Sequence, residues 1–236
     1  VYLLLRFFFS IFGAAFSFDV MQLDRILMPL AVVAILSMSL VAVYQENVKR
    51  LLAYSSVAQI GYMVLGISFA SALGLTAGIL HLFNHALMKG SLFMAMGCVM
   101  YRMGSVRLET MSGLGRAMPW TMAAFVAGGL SLIGVPLTVG FVSKWYLVQA
   151  ALEQGMWPVA AVVLVGSLLA VVYVWKVVEV AYFRRVSPGT EIREAPLALL
   201  VPTWALVLAN FWFGIDANLT VDVATRAATA LLGGLP

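Results

Sequence analysis

The stretch PWTMAAFVAGGLSLIGVPLTVGFVSKWYLVQAAL, residues 119–152, decides the fold class. A helix that crosses a bilayer needs roughly 20 apolar residues, so this run is too long for one simple crossing. Near its middle stands Gly134-Val135-Pro136. Proline removes a backbone donor and clashes with the preceding turn, so we predict a helix that is broken near Pro136. Broken helices often mark the ion site of a transporter, and a packing kink is the alternative.

The composition of the whole chain suits a lipid environment. Of its residues, 63% are hydrophobic and 10% charged, and the mean hydropathy is +1.02. Soluble domains average about 45–50% hydrophobic and about 25% charged residues. This chain has too few charged residues to make the surface of a soluble domain. The single cysteine, Cys98, excludes a disulfide within one chain. Nucleotide-binding glycine loops and cysteine clusters are not found in the sequence, so we expect no cofactor and no nucleic-acid partner.

Seven apolar runs are long enough to cross a membrane. They cover residues 1–18, 26–44, 51–70, 73–100, 119–152, 157–183 and 196–213. We therefore predict an all-α integral membrane protein with about seven transmembrane helices. The tail, 214–236, is less hydrophobic, and Asp222 and Arg226 lie opposite Ala224 and Ala228 at helical spacing. This pattern predicts a short interfacial helix.

Basic residues divide unevenly between the two sides that seven crossings define. One side has two, Arg25 and Arg226. The other side has eight: Lys49, Arg50, Arg102, Arg107, Arg116, Arg184, Arg185 and Arg193. Because basic loops stay in the cytoplasm, we expect a cytoplasmic N-terminus and an external C-terminus.

A first group of polar residues, His81, Asn84, His85 and Lys89, lies inside an apolar run. His81, His85 and Lys89 are four residues apart, so they share one helix face. Charged groups at membrane depth are costly and normally face protein or a water cavity. Histidine titrates near neutral pH, and a lysine held away from water can do so too. The stripe is typical of a proton relay, with a packing patch or a metal-binding histidine pair as alternatives.

A second ionisable residue, Lys144, lies eight residues after Pro136 on the broken segment. No acidic residue stands within a turn of it, so its partner must come from another helix, from water or from its own deprotonation. The coincidence of a break and a charge favours a functional role. The alternative is a lysine that reaches the interface beside Trp145 and Tyr146.

Weaker signals lie on two neighbouring runs. Lys176 and Glu179 are three residues apart and can pair, which favours an anchor near the basic interface. Ser55 and Gln59 are four apart and could extend a polar path.

These residues carry a resemblance to a known family. The segments QENVKRLLAYSSVAQIGY (45–62), HALMKG (85–90) and GVPLTVGFVSKW (134–145) resemble the antiporter-like subunits of respiratory complex I and of multisubunit monovalent cation/proton antiporters. The segments GFVSKW (140–145) and MSGL (111–114) are most similar to the D subunit of those antiporters. Lysine rather than glutamate at position 144 points away from the M-type subunit of complex I and is compatible with the N-type.

The resemblance implies the C-terminal half of a fourteen-helix subunit, a transporter without its own redox centre. It implies a leading helix over 1–25, a five-helix repeat over 26–183, and a last helix and tail over 184–236. Lys89, His85 and Lys144 would relay protons in exchange for Na+ in the cell inner (plasma) membrane, with other membrane subunits as partners. The family's first repeat, with its glutamate–lysine pair, is missing, so we expect a fragment or a split subunit. The alternatives are a proton-translocating M/N-type subunit of NADH-quinone oxidoreductase or of a membrane hydrogenase, and a non-transporting scaffold.

Overall fold

The computed structural model describes residues 1–184 and 192–233. In this part of the chain, ten α-helices follow one another, and the only strand-like pairing is an isolated antiparallel bridge between Asn47 and Arg107. The helices are α1 (Tyr2–Leu5), α2 (Asp24–Val43), α3 (Val48–Ser68), α4 (Ala72–Met103), α5 (Leu114–Ala117), α6 (Pro119–Ile133), α7 (Val139–Glu153), α8 (Trp157–Phe183), α9 (Leu197–Ile215) and α10 (Asn218–Leu231).

Four of these helices, α2, α3, α8 and α9, are long and apolar enough to cross a bilayer. Helix α4 is longer still, with 32 residues, and carries the polar group His81 to Lys89 in its middle. Helices α6 and α7 are two halves of one crossing, with 15 residues each. The predicted all-α membrane class is confirmed. Helices α2, α3, α4, α6, α7 and α8 lie in the region 26–183, where the five-helix repeat stays a prediction.

The break predicted near Pro136 is present between α6 and α7. Helix α6 ends at Gly134, whose φ of 94° is left-handed and whose N–H donates to the carbonyls of Leu130 and Ser131. The two halves then touch at Gly140. A Cβ placed there would lie 1.8 Å from the Ser131 carbonyl oxygen, so only glycine allows this approach.

The first predicted crossing, 1–18, is not one regular helix. Helix α1 continues into a π-helical turn over Arg6–Ile11, and a second π-helical turn covers Phe16–Val20. Between them, Gly13 has a left-handed φ of 83°, a conformation that ends a helix rather than continuing it. The apolar composition of this run concealed the interruption.

The basic loops come together at one end of the helix bundle, which we call the basic end. Besides the Asn47–Arg107 bridge, the Leu108 N–H donates to the Glu46 carbonyl at 2.8 Å. The Gly113 N–H donates to Val180 near the end of α8 at 3.2 Å. The connections that carry most of the basic residues are therefore neighbours, as the alternation of crossings predicted. Arg185, one of the eight, lies outside the described residues.

Small residues set the spacing of the central helices. A Cβ on Gly66 of α3 would lie 2.8 Å from the Gly78 nitrogen of α4, so the two backbones are in direct contact. The predicted tail helix is α10, which buries Ala224 and Ala228 and pairs Arg226 with Asp222 on its exposed face. Helix α4 thus lies in the centre of the bundle, between α3, α6, α7, α9 and α10.

Candidate functional site

Lys89 lies in the middle of α4 and is almost completely buried, with 6% of its surface exposed. Its Nζ donates to the Leu52 carbonyl at 2.8 Å and to the Ser55 hydroxyl, both on α3. Ser55 in turn donates to the Leu52 carbonyl at 3.0 Å. The ion pairs of the described residues do not include Lys89. Its partners are therefore neutral oxygens, and no carboxylate fixes its charge.

His81 connects three helices and is fully buried. Its Nε2 lies 2.9 Å from the Gln59 Oε1 of α3, and its Nδ1 lies 2.8 Å from the Ser143 hydroxyl of α7. Because the amide oxygen only accepts, Nε2 carries a hydrogen in this arrangement. The hydroxyl of Ser143 can donate to Nδ1 or accept from it. The imidazole can thus hold one proton or two without losing a partner.

Between His81 and Lys89 lie two polar atoms without partners. Asn84 donates to the Val139 carbonyl at 2.7 Å, but its Oδ1 has no hydrogen-bond partner among the described residues. The same holds for the His85 Nε2. Buried polar atoms of this kind are normally satisfied by ordered water. This segment of the stripe is therefore suited to hold water between the histidines and the lysine.

Lys144 is as buried as Lys89, with 6% of its surface exposed, and lies at the helix break. Its Nζ donates to the carbonyls of Leu132 at 2.8 Å and Ile133 at 3.0 Å. These are among the last carbonyls of α6, which lack partners within the helix and form its negative end. The ammonium also lies 5.1 Å from the centre of the Tyr62 ring, a cation–π distance. The broken helix thus supplies the counter-charge that the sequence near Lys144 does not.

A cavity of about 420 Å³ adjoins Lys144. Gly134 at the break and Ser167 of α8 line it together with apolar side chains. The cavity lies next to the break, and Lys144 is one of its lining residues.

Lys176 and Glu179 do not form the pair that their spacing suggested. The Lys176 Nζ donates to the carbonyls of Val43 and Gln45, each at 3.1 Å, at the end of α2. The Glu179 carboxylate lies 3.4 Å from the Arg184 guanidinium. The free carbonyls at the end of α2 give Lys176 a partner on another helix, and the basic end supplies one for Glu179. Both residues remain near the basic end, as predicted.

The residue types found in the site allow proton transfer and give no support to metal binding. The described residues contain no cluster of three or more His, Cys, Asp or Glu that could hold a metal ion. Both ring nitrogens of His81 are already bonded to side chains. The structure brings together Ser55 with Lys89, and Gln59 with His81, which the spacing had indicated only weakly. Sequence reasoning missed Ser143 and Tyr62, although a serine next to a buried lysine was a usable signal.

Comparisons with known proteins show what the chain is similar to. Residues 1–170 match the family described as NADH:quinone oxidoreductase/Mrp antiporter, transmembrane. The chain is 43% identical to NADH-quinone oxidoreductase subunit N of Desulforudis audaxviator, over 79% of this chain and 40% of that protein. It is 31% identical to F(420)H(2) dehydrogenase subunit N of Methanosarcina mazei, over 86% of this chain and 43% of that protein.

Solved structures show the same likeness. A chain of the Mrp complex from Dietzia superposes with a TM-score of 0.84 at 29% identity, over 89% of this chain and 47% of that one. A chain of the archaeal membrane-bound sulfane sulfur reductase superposes with a TM-score of 0.81 at 32% identity, over 89% of this chain and 43% of that one. The chain thus spans less than half the length of these relatives.

Proposed function

The chain belongs to the NADH:quinone oxidoreductase/Mrp antiporter membrane family, and from this premise we propose that it carries protons across a membrane as a subunit of a larger complex. The observation that supports the proposal best is the polar row inside the bundle. Lys89 and Lys144 stand at its two ends, both buried and both bonded only to neutral oxygens. Such groups inside a membrane protein are expensive and are typical of proton pathways.

The row offers a sequence of proton carriers. A proton on Lys89 would pass through water to His85, whose Nε2 has no hydrogen-bond partner in the described part of the chain. Water at Asn84 would connect His85 to His81, and the His81–Ser143 contact of 2.8 Å leads to α7. Lys144 follows Ser143 in the chain and lies beside the cavity, where it would release the proton. Because like charges repel, a proton on one lysine disfavours a proton on the other, so uptake at one end would assist release at the other.

Among the assemblies that could use this row, we favour one of the N-type, driven by a redox reaction. The support is the 43% identity to a subunit N of NADH-quinone oxidoreductase, together with lysine at position 144. The second candidate is the multisubunit Na+/H+ antiporter, which the segments GFVSKW and MSGL predicted. The superposition on the Mrp complex supports it. In both cases the partners would be other membrane subunits, protons and, for the antiporter, monovalent cations.

The proposed orientation of the chain in the membrane follows from the position of the basic end. If that end faces the cytoplasm of the cell inner membrane, the N-terminus is cytoplasmic and the C-terminus external. In the proposed division, 26–183 is the conducting repeat, and 1–25 and 184–236 flank it.

The proposal is tested in inside-out vesicles that hold the assembled complex, with Lys89→Met compared with Lys49→Met at the exposed basic end. Proton translocation is followed with a pH-sensitive dye while either NADH plus quinone or a Na+ gradient is applied. We expect Lys89→Met to abolish translocation and Lys49→Met to retain it. Translocation driven only by NADH identifies the N-type assembly, and translocation driven only by Na+ identifies the antiporter. Wild-type rates in Lys89→Met would refute proton conduction along this row.

A further inference from the structure

Tyr173 of α8 is a buried polar residue that the row described above does not use. Its side chain is fully buried, and its hydroxyl has no hydrogen-bond partner among the described residues. Tyr173 belongs to the same buried cluster as Leu51 and Leu52 of α3, which stand one turn before Ser55. Ser55 is the residue that accepts a hydrogen bond from Lys89. Since buried tyrosine hydroxyls normally find a partner, the place between Tyr173 and Ser55 is suited to a water molecule.

Lys176 stands one helical turn further along α8, on the same face as Tyr173. Its Nζ bonds to the carbonyls of Val43 and Gln45, where α2 ends at the basic end. Its side chain is only partly buried, whereas Tyr173 is completely enclosed. The order Lys176, Tyr173, Ser55 therefore leads from the basic surface to the buried Lys89.

We propose that protons reach Lys89 from the basic end along a branch formed by Lys176, Tyr173 and Ser55, with water between the side chains. The inference rests on the proposed function and names the side from which the row is filled. Tyr173 is the conducting residue of the branch. Lys176 is a positioning residue, since it holds the end of α2 against α8 at the mouth.

The hydrogen bonds of Ser55 allow one proton to pass at a time. In the structure Ser55 accepts from Lys89 and donates to the Leu52 carbonyl, an arrangement that suits a charged lysine. After Lys89 gives its proton to the row, its amine has a free lone pair. Ser55 then donates its proton to that amine and takes one from the bridging water. Tyr173 passes its proton to this water and receives one from water near Lys176, so one proton moves from solvent to Lys89.

The first experiment replaces Tyr173 by Phe in the assembled complex, which removes the hydroxyl and keeps the buried ring. We expect the rate of proton translocation to fall about tenfold, which corresponds to about 1.4 kcal/mol in the barrier. Tyr182→Phe is the matched control, because Tyr182 lies on the same helix and packs its ring on Gly115 outside the branch. It should keep the wild-type rate.

Parallel measurement of Lys89→Met separates the two proposals. If Tyr173→Phe keeps the wild-type rate while Lys89→Met abolishes translocation, the branch is wrong and the proposed function stands. If both variants keep the wild-type rate, both are wrong. A tenfold loss in Tyr182→Phe as well would also overturn the branch, because the loss would then follow from any hydroxyl removed from α8.

The second experiment detects water in the branch independently of transport. The chain has a single cysteine, so Cys98→Ser gives a background in which one new cysteine reports alone. A membrane-impermeant cationic thiol reagent added from the basic end should label Tyr173→Cys. Ala181→Cys, equally buried and nearer that end, has no place in the branch and should stay unlabelled. Failure to label Tyr173→Cys, or equal labelling of Ala181→Cys, would overturn the branch.

Discussion

Substitution of Gly140 by Ala tests the contact that holds the broken helix together. A Cβ at this position would lie 1.8 Å from the Ser131 carbonyl oxygen, 2.9 Å from its carbon and 3.0 Å from the Met88 sulfur. The first two atoms belong to the backbone of α6, so no side-chain rotation can relieve the overlap. Overpacking of a core costs typically about 1–3 kcal/mol, and a clash between two backbones belongs at or above the top of that range.

The structure offers a matched control in Gly97, which lies within α4. A Cβ there would meet no heavy atom within 4 Å. Gly97→Ala restricts the unfolded chain and should stabilise the protein by about 0.4–1 kcal/mol. The two variants make the same chemical change in opposite surroundings.

Thermal unfolding of the purified protein measures both variants. About 1 kcal/mol shifts the Tm of a protein of this size by about 2–4 °C. We therefore expect Gly140→Ala to lose about 6–12 °C and Gly97→Ala to gain up to about 4 °C. Equal Tm values for the two variants would refute the close approach at Gly140, and with it the geometry that places Lys144 at the end of α6.

Two further predictions concern groups that support the site. Replacing His81 by Leu takes from the buried Gln59 amide oxygen its imidazole partner and leaves the Ser143 hydroxyl only its 3.4 Å bond to the Val139 carbonyl, so we expect a loss of about 1–3 kcal/mol in stability. A Tm at or above that of the wild type would contradict the described network. At the start of α6, Glu194 accepts hydrogen bonds from the N–H groups of Trp120 and Thr121 and from the Thr121 hydroxyl, and it also accepts one from the N–H of Ala195. Glu194→Ala should cost about 0.5–2 kcal/mol and Glu194→Gln less, and wild-type thermal stability of Glu194→Ala would show that the cap contributes nothing.

Much of the fold could be predicted because lipid imposes simple requirements on sequence. Apolar runs of sufficient length gave the bounds of six crossings to within a few residues, and Gly134 with Pro136 located the break. The first run failed because hydropathy measures composition and not backbone conformation. Gly13 interrupts that run with a left-handed φ of 83°, which apolar neighbours on both sides do not reveal.

The candidate site was predictable along one helix but not across helices. The four-residue spacing of His81, His85 and Lys89 follows from helix geometry, so the sequence alone places these residues on one face. The partners of each residue depend on how α3 and α7 pack against that face, and spacing within one run cannot give this. Lys176 illustrates the limit, because Glu179 was the nearest candidate in sequence while the carbonyls at the end of α2 are its partners in space.

The backbone also supplies interactions that residue patterns do not encode. The counter-charge of Lys144 is the end of α6, formed by the carbonyls of Leu132 and Ile133. No acidic residue was needed, so a search for one near Lys144 could not succeed. Conversely, the Tyr173 hydroxyl has no hydrogen-bond partner among residues 1–184 and 192–233, and this becomes visible only when its neighbours are known.

The measurement that tests the central claim most directly is proton translocation by the assembled complex with Lys144→Met. The control is Lys49→Met, which removes the same charge from the exposed basic end. If the buried row conducts protons, Lys144→Met abolishes translocation, with the complex still assembled, and Lys49→Met retains it. A wild-type translocation rate in Lys144→Met would contradict the account, because the row would then have lost its terminal carrier without effect.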